Sequence, residues 1–278
     1  MPHALILQHT DLKQCDLSIL DQLPLGKPTE CRHSLRFPVA TDFTLPQSVA
    51  DQLAQQQIDF AVLPDLAFAD LGLIVSDMDS TLITIECVDE IAAGVGLKNQ
   101  VAEITERSMR GELDFEQSLR QRVALLAGLN ENVLQQVYDQ VLQLSPGAEF
   151  LLAECHAHNV PFMLVSGGFT FFTERLQQQL GFAYQYANIL DIQNGKLTGN
   201  LLGGIIDAQA KARLLRQHAE QLGIPMERTL AMGDGANDIP MIEAAGFGIA
   251  YRAKPKTQSH ADACINFGGL ERIRYWFR

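Results

Sequence analysis

The sequence predicts an α/β fold: a Rossmann-like parallel-sheet core, an inserted helical cap and a small N-terminal α+β domain. Three observations carry this. The apolar runs Leu73–Ser76, Val160–Val165 and Thr229–Met232 are too short for helices and read as strands buried on both faces. Segments of helical spacing alternate with them, as parallel strands require. A wholly helical stretch from about Val88 to Leu144 separates the first run from the second, which is where a lid over the strand ends belongs.

Residues 1–70 read as the small domain. A strand is expected at Ala4–Leu7, a helix at Leu12–Leu23 ended by Pro24, and a strand at Arg32–Val39. A helix over Pro46–Gln57, with Val49 and Leu53 on one side, and a strand at Ile58–Leu63 complete a β-α-β-α-β order. Such a unit suits a regulatory or dimerising module, so a homodimer through it is an expectation. His3, His9 and His33 follow no ligand spacing and read as ordinary surface or core histidines.

The core is expected over residues 71–87 and 145–278, with the cap at 88–144. In the cap, Asp114-x-x-Gln117 is a capping box opening a helix with Phe115, Leu119, Val123 and Leu126 on one stripe. Asn130 caps a further helix carrying Val133, Leu134, Val137 and Val141, and Ser145-Pro146-Gly147 ends the helical block. Beyond it come a helix at Ala148–His158, the second buried strand, and a helix at Phe169–Leu180. Asn194-Gly195 between alternating segments predicts a hairpin over Tyr184–Leu201. Asp207 then caps a helix with Leu214, Leu215 and Leu222, and further strands are expected at Ile249–Tyr251 and Cys264–Asn266.

Composition excludes several classes. Of 278 residues, 47% are hydrophobic, which is ample for a core. A net charge of -12 argues against nucleic acid or an acidic membrane as partner, so an anionic substrate needs a locally positive site. Five dispersed cysteines without a C-x-x-C pair fit a reducing compartment. The amino terminus lacks a basic leader, and no apolar stretch approaches the ~20 residues that span a bilayer. A cytoplasmic protein is therefore expected.

The chemistry gathers at strand ends. Asp77 and Asp79 follow the first run, Ser166-Gly167-Gly168 the second, and Gly233-Asp234-Gly235-Ala236-Asn237-Asp238 the third. In open α/β sheets this edge is where ligands bind. Taken singly, each has a plainer reading: turn aspartates, a tight turn, a surface lysine at Lys211, solvated helix charges at Glu86 and Arg122. Gly94 and Gly96 lack the strand and third glycine of a nucleotide loop. A calcium loop at Asp234 fails, because Ile239 stands where glycine is needed and Ala245 where the closing glutamate belongs. Jointly, carboxylates crowded on one edge call for a divalent cation, and oxygen ligands in that number select Mg²⁺. Carboxylates, a metal, a hydroxyl with glycine amides and a lysine are the parts of phosphoryl transfer.

Asp77-Met78-Asp79-Ser80-Thr81, Ser166-Gly167-Gly168, Lys211 and Gly233–Asp238 together resemble the haloacid dehalogenase superfamily of phosphatases, over about residues 71–270. Glu86, Arg122 and Gly111-x-x-x-Phe115-Glu116 are similar to those members that hydrolyse O-phosphoserine. The resemblance implies Asp77 as nucleophile, Asp79 as general acid and base, and Ser166, the Gly167 amide and Lys211 around the transferring group, with Asn237 near. It implies Mg²⁺ on Asp77, Asp234 and the Asp79 carbonyl, supported by Asp238. It also implies Glu86 for a substrate ammonium, Arg122 for its carboxylate, and Met109 and Phe115 against the substrate. Two rivals stay open at this point: a superfamily phosphatase for another metabolite, and a signalling receiver, against which Asp79 argues because it promotes turnover.

Overall fold

A computed structural model describes residues 2–31 and 33–278. The chain runs through strands β1 (His3–Gln8), β2 (Thr29–Cys31) and β3 (Ser34–Val39), helix α1 (Gln47–Gln55), then β4 (Asp59–Pro64) and β5 (Leu73–Ser76). Four cap helices follow: α2 (Cys87–Gly94), α3 (Lys98–Met109), α4 (Phe115–Ala124) and α5 (Asn132–Gln140). The chain returns through α6 (Ala148–Ala157), β6 (Phe162–Phe169), α7 (Thr170–Leu180), β7 (Tyr184–Gln193), β8 (Lys196–Leu202) and α8 (Ala208–Gln221). It closes with β9 (Thr229–Gly233), α9 (Ile239–Ala244), β10 (Phe247–Tyr251), α10 (Pro255–Gln258), β11 (Ala263–Ile265) and α11 (Glu271–Trp276).

Among the described residues the eleven strands lie in one sheet, in the order β2-β3-β1-β4-β11-β10-β9-β5-β6-β7-β8. From β11 to β7 the neighbours are parallel; β8 and the four N-terminal strands are antiparallel to theirs. β5 is central, with β9 on one side and β6 on the other, so the chain reverses its direction of travel across the sheet there. Every residue of β5 is buried. Ile74 joins the larger core cluster, while Leu73 and Val75 meet Ala212 and Leu215 of α8 and Met241 of α9 on the opposite face. The doubly buried strand expected from the unbroken apolar run is what forms.

The N-terminal strands extend this same sheet through one bridge, Ala61 opposite Ala263. They carry a core of their own on one face, with Leu5, Leu7, Val49, Leu53 and Ile58 fully or nearly buried. Polar contacts lock them to the C-terminal segment. The Asp59 carboxylate accepts from the backbone amides of Asn266 (2.7 Å), Phe267 (3.2 Å) and Gly268 (2.8 Å). Arg36 donates to the Trp276 carbonyl at 2.9 Å and pairs with Asp65 at 2.7 Å.

The expected helix at Leu12–Leu23 does not form. Two short 3₁₀ turns stand there instead, Leu12–Gln14 and Ser18–Gln22. Side chains take the backbone donors a helix would need: Asp11 accepts from Lys13, Asp16 from Ser18, and Gln56 from the Asp16 amide. Strand β2 is additional to the expected elements, and the expected strand from Arg32 starts on a residue outside the described ones, with β3 beginning at Ser34. The hairpin is as expected, with Asn194 and Gly195 both at positive φ (52° and 75°). The Asp114/Gln117 capping box is present. Of the expected apolar stripe on α5, Val133, Leu134 and Val137 are buried, while Val141 is exposed past the helix end.

Asp59 holds three amides that nothing else in the loop satisfies as well. Replacing it with alanine is expected to lower stability by about 2–4 kcal/mol, since each stranded amide costs ~1–3 kcal/mol where it is buried. Chemical denaturation of Asp59→Ala beside the parent measures this. A change below ~1 kcal/mol shows that water replaces the carboxylate.

Candidate active site

Parallel pairing of β5 with both β6 and β9 brings three strand ends side by side. Asp77 follows β5 directly. Its Oδ1 accepts from the Met78 amide at 2.7 Å and meets Lys211 Nζ at 2.8 Å, so both bonds fall on one oxygen. Lys211 enters from the first turns of α8, whose start is capped by Asp207 accepting from the Ala210 amide at 2.7 Å. The lysine is 1% exposed and also meets Asp238 Oδ1 at 2.7 Å. Asp238 is held in turn by the Gly235 amide at 3.0 Å. Carboxylate oxygens of Asp77, Asp234 and Asp238 lie within 4.8 Å of one another. Gly233 makes this possible, because a Cβ there would run into the Asp238 carboxyl group.

Two of these three carboxylates, Asp77 and Asp238, thus share one ammonium. Burial raises the pKa of Asp77 well above the carboxylate range, Asp238 adds to this, and Lys211 opposes it. Asp234 is pushed up to about 7, by burial first and Asp238 next. Burial works against the Lys211 ammonium, but Asp238 and Asp77 outweigh it and hold its pKa above the usual value. The excess negative charge and the all-oxygen donor set fit a hard divalent cation.

The other half of the site comes from the loop after β5 and from the cap. Met78–Leu82 form one wide turn in which Ser80 adopts positive φ (55°). Ser80 Oγ donates to Glu86 Oε1 at 2.6 Å, and Asp79 Oδ2 accepts from the Cys87 amide at 3.3 Å. Burial, then the neighbouring Glu86, lift the Asp79 carboxyl to about 7. Its Oδ1 is buried without a partner, and so is Nε of Arg122. Burial depresses the Arg122 pKa, partly offset by Asp89 and Glu86.

One cavity of about 190 Å³ is lined by Asp77, Asp79, Glu86, Phe115, Arg122, Ser166, Gly167, Asp234 and Asn237. Lys211 and Asp238 lie buried against it through Asp77. Phe115 reaches over from α4 so closely that a Cβ on Gly167 would stand 2.8 Å from its ring. Arg122, seven residues further along α4, faces the same space. Met109 is not brought there: it is 72% exposed at the end of α3 and absent from the cavity wall. The carboxylate cluster has the Asp238 side chain as its third member, and the Asp79 side chain, on the wall of the same cavity, is not part of it.

Sequence reasoning missed Thr81, whose hydroxyl donates to Asp234 Oδ1 at 3.1 Å, and the half-buried Asp89, whose Oδ1 is covered and unpartnered near Arg122. Asp89 lies three residues after Glu86, which is the same helix face, and that spacing was the available signal. The Ser166–Gly168 segment also differs from expectation. It belongs to β6, which runs on to Phe169, so α7 starts at Thr170, beyond the glycine pair.

The profile of the haloacid dehalogenase-like hydrolase family matches residues 74–243. The chain belongs to this family of hydrolases. A phosphoserine phosphatase of Polaromonas sp. is 49% identical over 215 residues, 76% of this chain and 91% of that one. The unliganded crystal structure of a probable phosphoserine phosphatase from Vibrio cholerae superposes with a TM-score of 0.84 at 38% identity, covering 97% of this chain and 84% of that chain. A substrate-bound phosphoserine phosphatase structure reaches 0.70 at 38% identity, over 75% of this chain and 99% of the other.

The raised carboxyl pKa values have a thermodynamic consequence. Asp79 and Asp234 lie near 7 when folded against an ordinary 3.8, so folding takes up protons and their contribution to stability falls as pH rises from about 4 through about 7. Metal-free protein is expected to melt at a lower temperature at pH 8 than at pH 6, with Mg²⁺ narrowing the difference. Thermal melts in EDTA and in Mg²⁺ at both values measure it; a melting temperature in EDTA that rises toward pH 8 contradicts it.

Proposed function

We propose that the chain hydrolyses O-phosphoserine to serine and inorganic phosphate through a phosphoryl group carried on Asp77. One observation carries the choice of substrate: an anionic residue at the entrance to the cap and a cationic one within it, Glu86 and Arg122, share one cavity with the strand-end aspartates. A phosphorylated amino acid offers three charged groups, and the cavity answers each. Lys211 and the Ser166–Gly168 segment face the phosphoryl group, Glu86 the ammonium, and Arg122 the carboxylate. The unpartnered Arg122 Nε supports this, since a buried guanidinium donor without an acceptor is costly until a ligand supplies one.

Chemistry follows from the aspartates. With Met78 and Lys211 both on Oδ1, the other oxygen of Asp77 is the one to attack phosphorus; the bond from phosphorus to the seryl oxygen breaks as the new P–O bond forms. A carboxyl group titrating near 7 is populated in both forms at neutral pH, which suits Asp79 to give its proton to the departing oxygen. The resulting carboxylate takes a proton from the water that attacks phosphorus in the second step, which restores Asp77 and releases phosphate. The Ser166 hydroxyl, the Gly167 amide and the Lys211 ammonium offset charge on the transferring group, with Asn237 at its edge. Mg²⁺ would be held by Asp77 and Asp234, with the Asp79 carbonyl and Asp238 in support, and supplies charge neutralisation at the phosphoryl oxygens.

The covering cap keeps bulk water out while the first step proceeds, which strengthens the charges inside, and the second step needs only the one water that Asp79 activates. Residues 1–70 serve in this reading as a module that adds a second core to the sheet and offers a surface for a homodimer. A small-molecule substrate accords with a cavity of this size. Among the described residues no helix is long and apolar enough to cross a membrane.

Phosphate release from a panel of phosphorylated metabolites, with and without Mg²⁺, tests the substrate. Arg122→Ala is expected to raise KM for O-phosphoserine roughly 10- to 100-fold, the worth of a charge-assisted pair, while leaving KM for p-nitrophenyl phosphate nearly unchanged. Equal losses on both dismiss the carboxylate clamp. Asp77→Asn is expected to abolish both turnover and acid-stable labelling by phosphorylated substrate; label retained on the variant would place the nucleophile elsewhere.

A further inference from the structure

We infer that Asn188 is a positioning residue for phosphoryl transfer, acting through Ser166; this rests on the role given to Ser166 above. Asn188 stands on β7, 1% exposed, at the point where the β6–β7 ladder is broken. Pairing runs to Val165 opposite Tyr186, fails across Ser166, Gly167 and Gly168, and resumes with Phe169 opposite Asn188. The segment facing the phosphoryl group therefore lacks ladder bonds, and its two glycines have no side chains to pin it.

The Asn188 side chain supplies the missing hold. Nδ2 donates to the Gly167 carbonyl at 2.8 Å, and Oδ1 accepts from the Ile206 amide at 2.8 Å. In a planar trans peptide the C=O and the following N–H point in opposite directions. Drawing the Gly167 carbonyl toward β7 thus turns the Gly168 N–H the other way, where it donates to Ser166 Oγ at 2.8 Å. A serine hydroxyl has one proton and two lone pairs. With a lone pair taken by Gly168, the proton is left to point into the cavity that Ser166 lines. The second arm reaches the residue before Asp207, which caps the helix bearing Lys211. One buried amide thereby ties the Ser166–Gly168 segment to the start of the helix that bears Lys211.

Asn188→Asp separates the arms, because it keeps an acceptor for Ile206 and loses the donor to Gly167. The expected result is a kcat lower by roughly 10- to 100-fold, less than the ~10²–10³ for losing an oxyanion donor outright. KM stays within about threefold, since the lost effect belongs to the transition state. The deciding measurement is a cycle with Ser166→Ala: if Asn188 acts through Ser166, the second change costs less than about threefold in that background. The same ratios are expected on O-phosphoserine and p-nitrophenyl phosphate, so failure on the natural substrate alone defeats the substrate reading and not this one. Wild-type kcat in Asn188→Asp, or an equal loss in both backgrounds, overturns the inference. Asn188→Ser, neutral and smaller, is carried through the same cycle and decides the question where the aspartate variant does not fold.

Discussion

The ammonium of Lys211 between Asp77 and Asp238 is the contact on which the rest depends. A parallel sheet collects its strand ends on one edge, and here that edge is lined with carboxylates that repel one another in a poorly solvated place. One buried cation, reaching both at under 3 Å, lets them coexist without cancelling them. Removing one member of such a group strands the others, which typically costs ~3–5 kcal/mol. The remaining excess of negative charge on Asp77, Asp234 and Asp238 is what would make the site receptive to a metal.

Charge is arranged differently in the cap half. Glu86 is tied to Ser80, whose left-handed backbone turns its hydroxyl back toward the helix start. Arg122 and Asp79 keep buried polar atoms without partners. Protein interiors rarely tolerate that, and such atoms gather where a ligand completes the bonding. The floor of the cavity is thus satisfied internally, while its roof is left short.

The sheet explains how both arrangements are held. β5 is paired on each side and buried on each face, so Asp77 follows a strand held from every direction. The ladder between β6 and β7 yields locally, and the Asn188 side chain takes over from the backbone at that gap. At the far end, Asp59 and Arg36 knit the N-terminal strands to the loop and helix that end the chain.

Periodicity alone determined the central strands, the capped helices α4 and α8 and the Asn194-Gly195 hairpin, because short-range sterics and hydrogen bonds decide such features. Motif spacing likewise placed Asp77, Asp79, Ser166, Asp234 and Asp238 at one edge, since a parallel sheet converts strand ends into neighbours whatever lies between them. Glu86 and Arg122 became distinguishable from ordinary helix charges only when folding put both on the wall of one cavity with the strand-end aspartates, because shared lining is a property of the packed chain. The same holds for the failed helix at Leu12–Leu23, overruled by a glutamine forty residues from Asp16, and for Asn188, unremarkable in a strand until its amide meets a carbonyl twenty-one residues earlier. Local sequence sets which backbone shapes are open to a segment; long-range contacts decide which polar atoms are left to do chemistry, because only the finished fold counts who has found a partner.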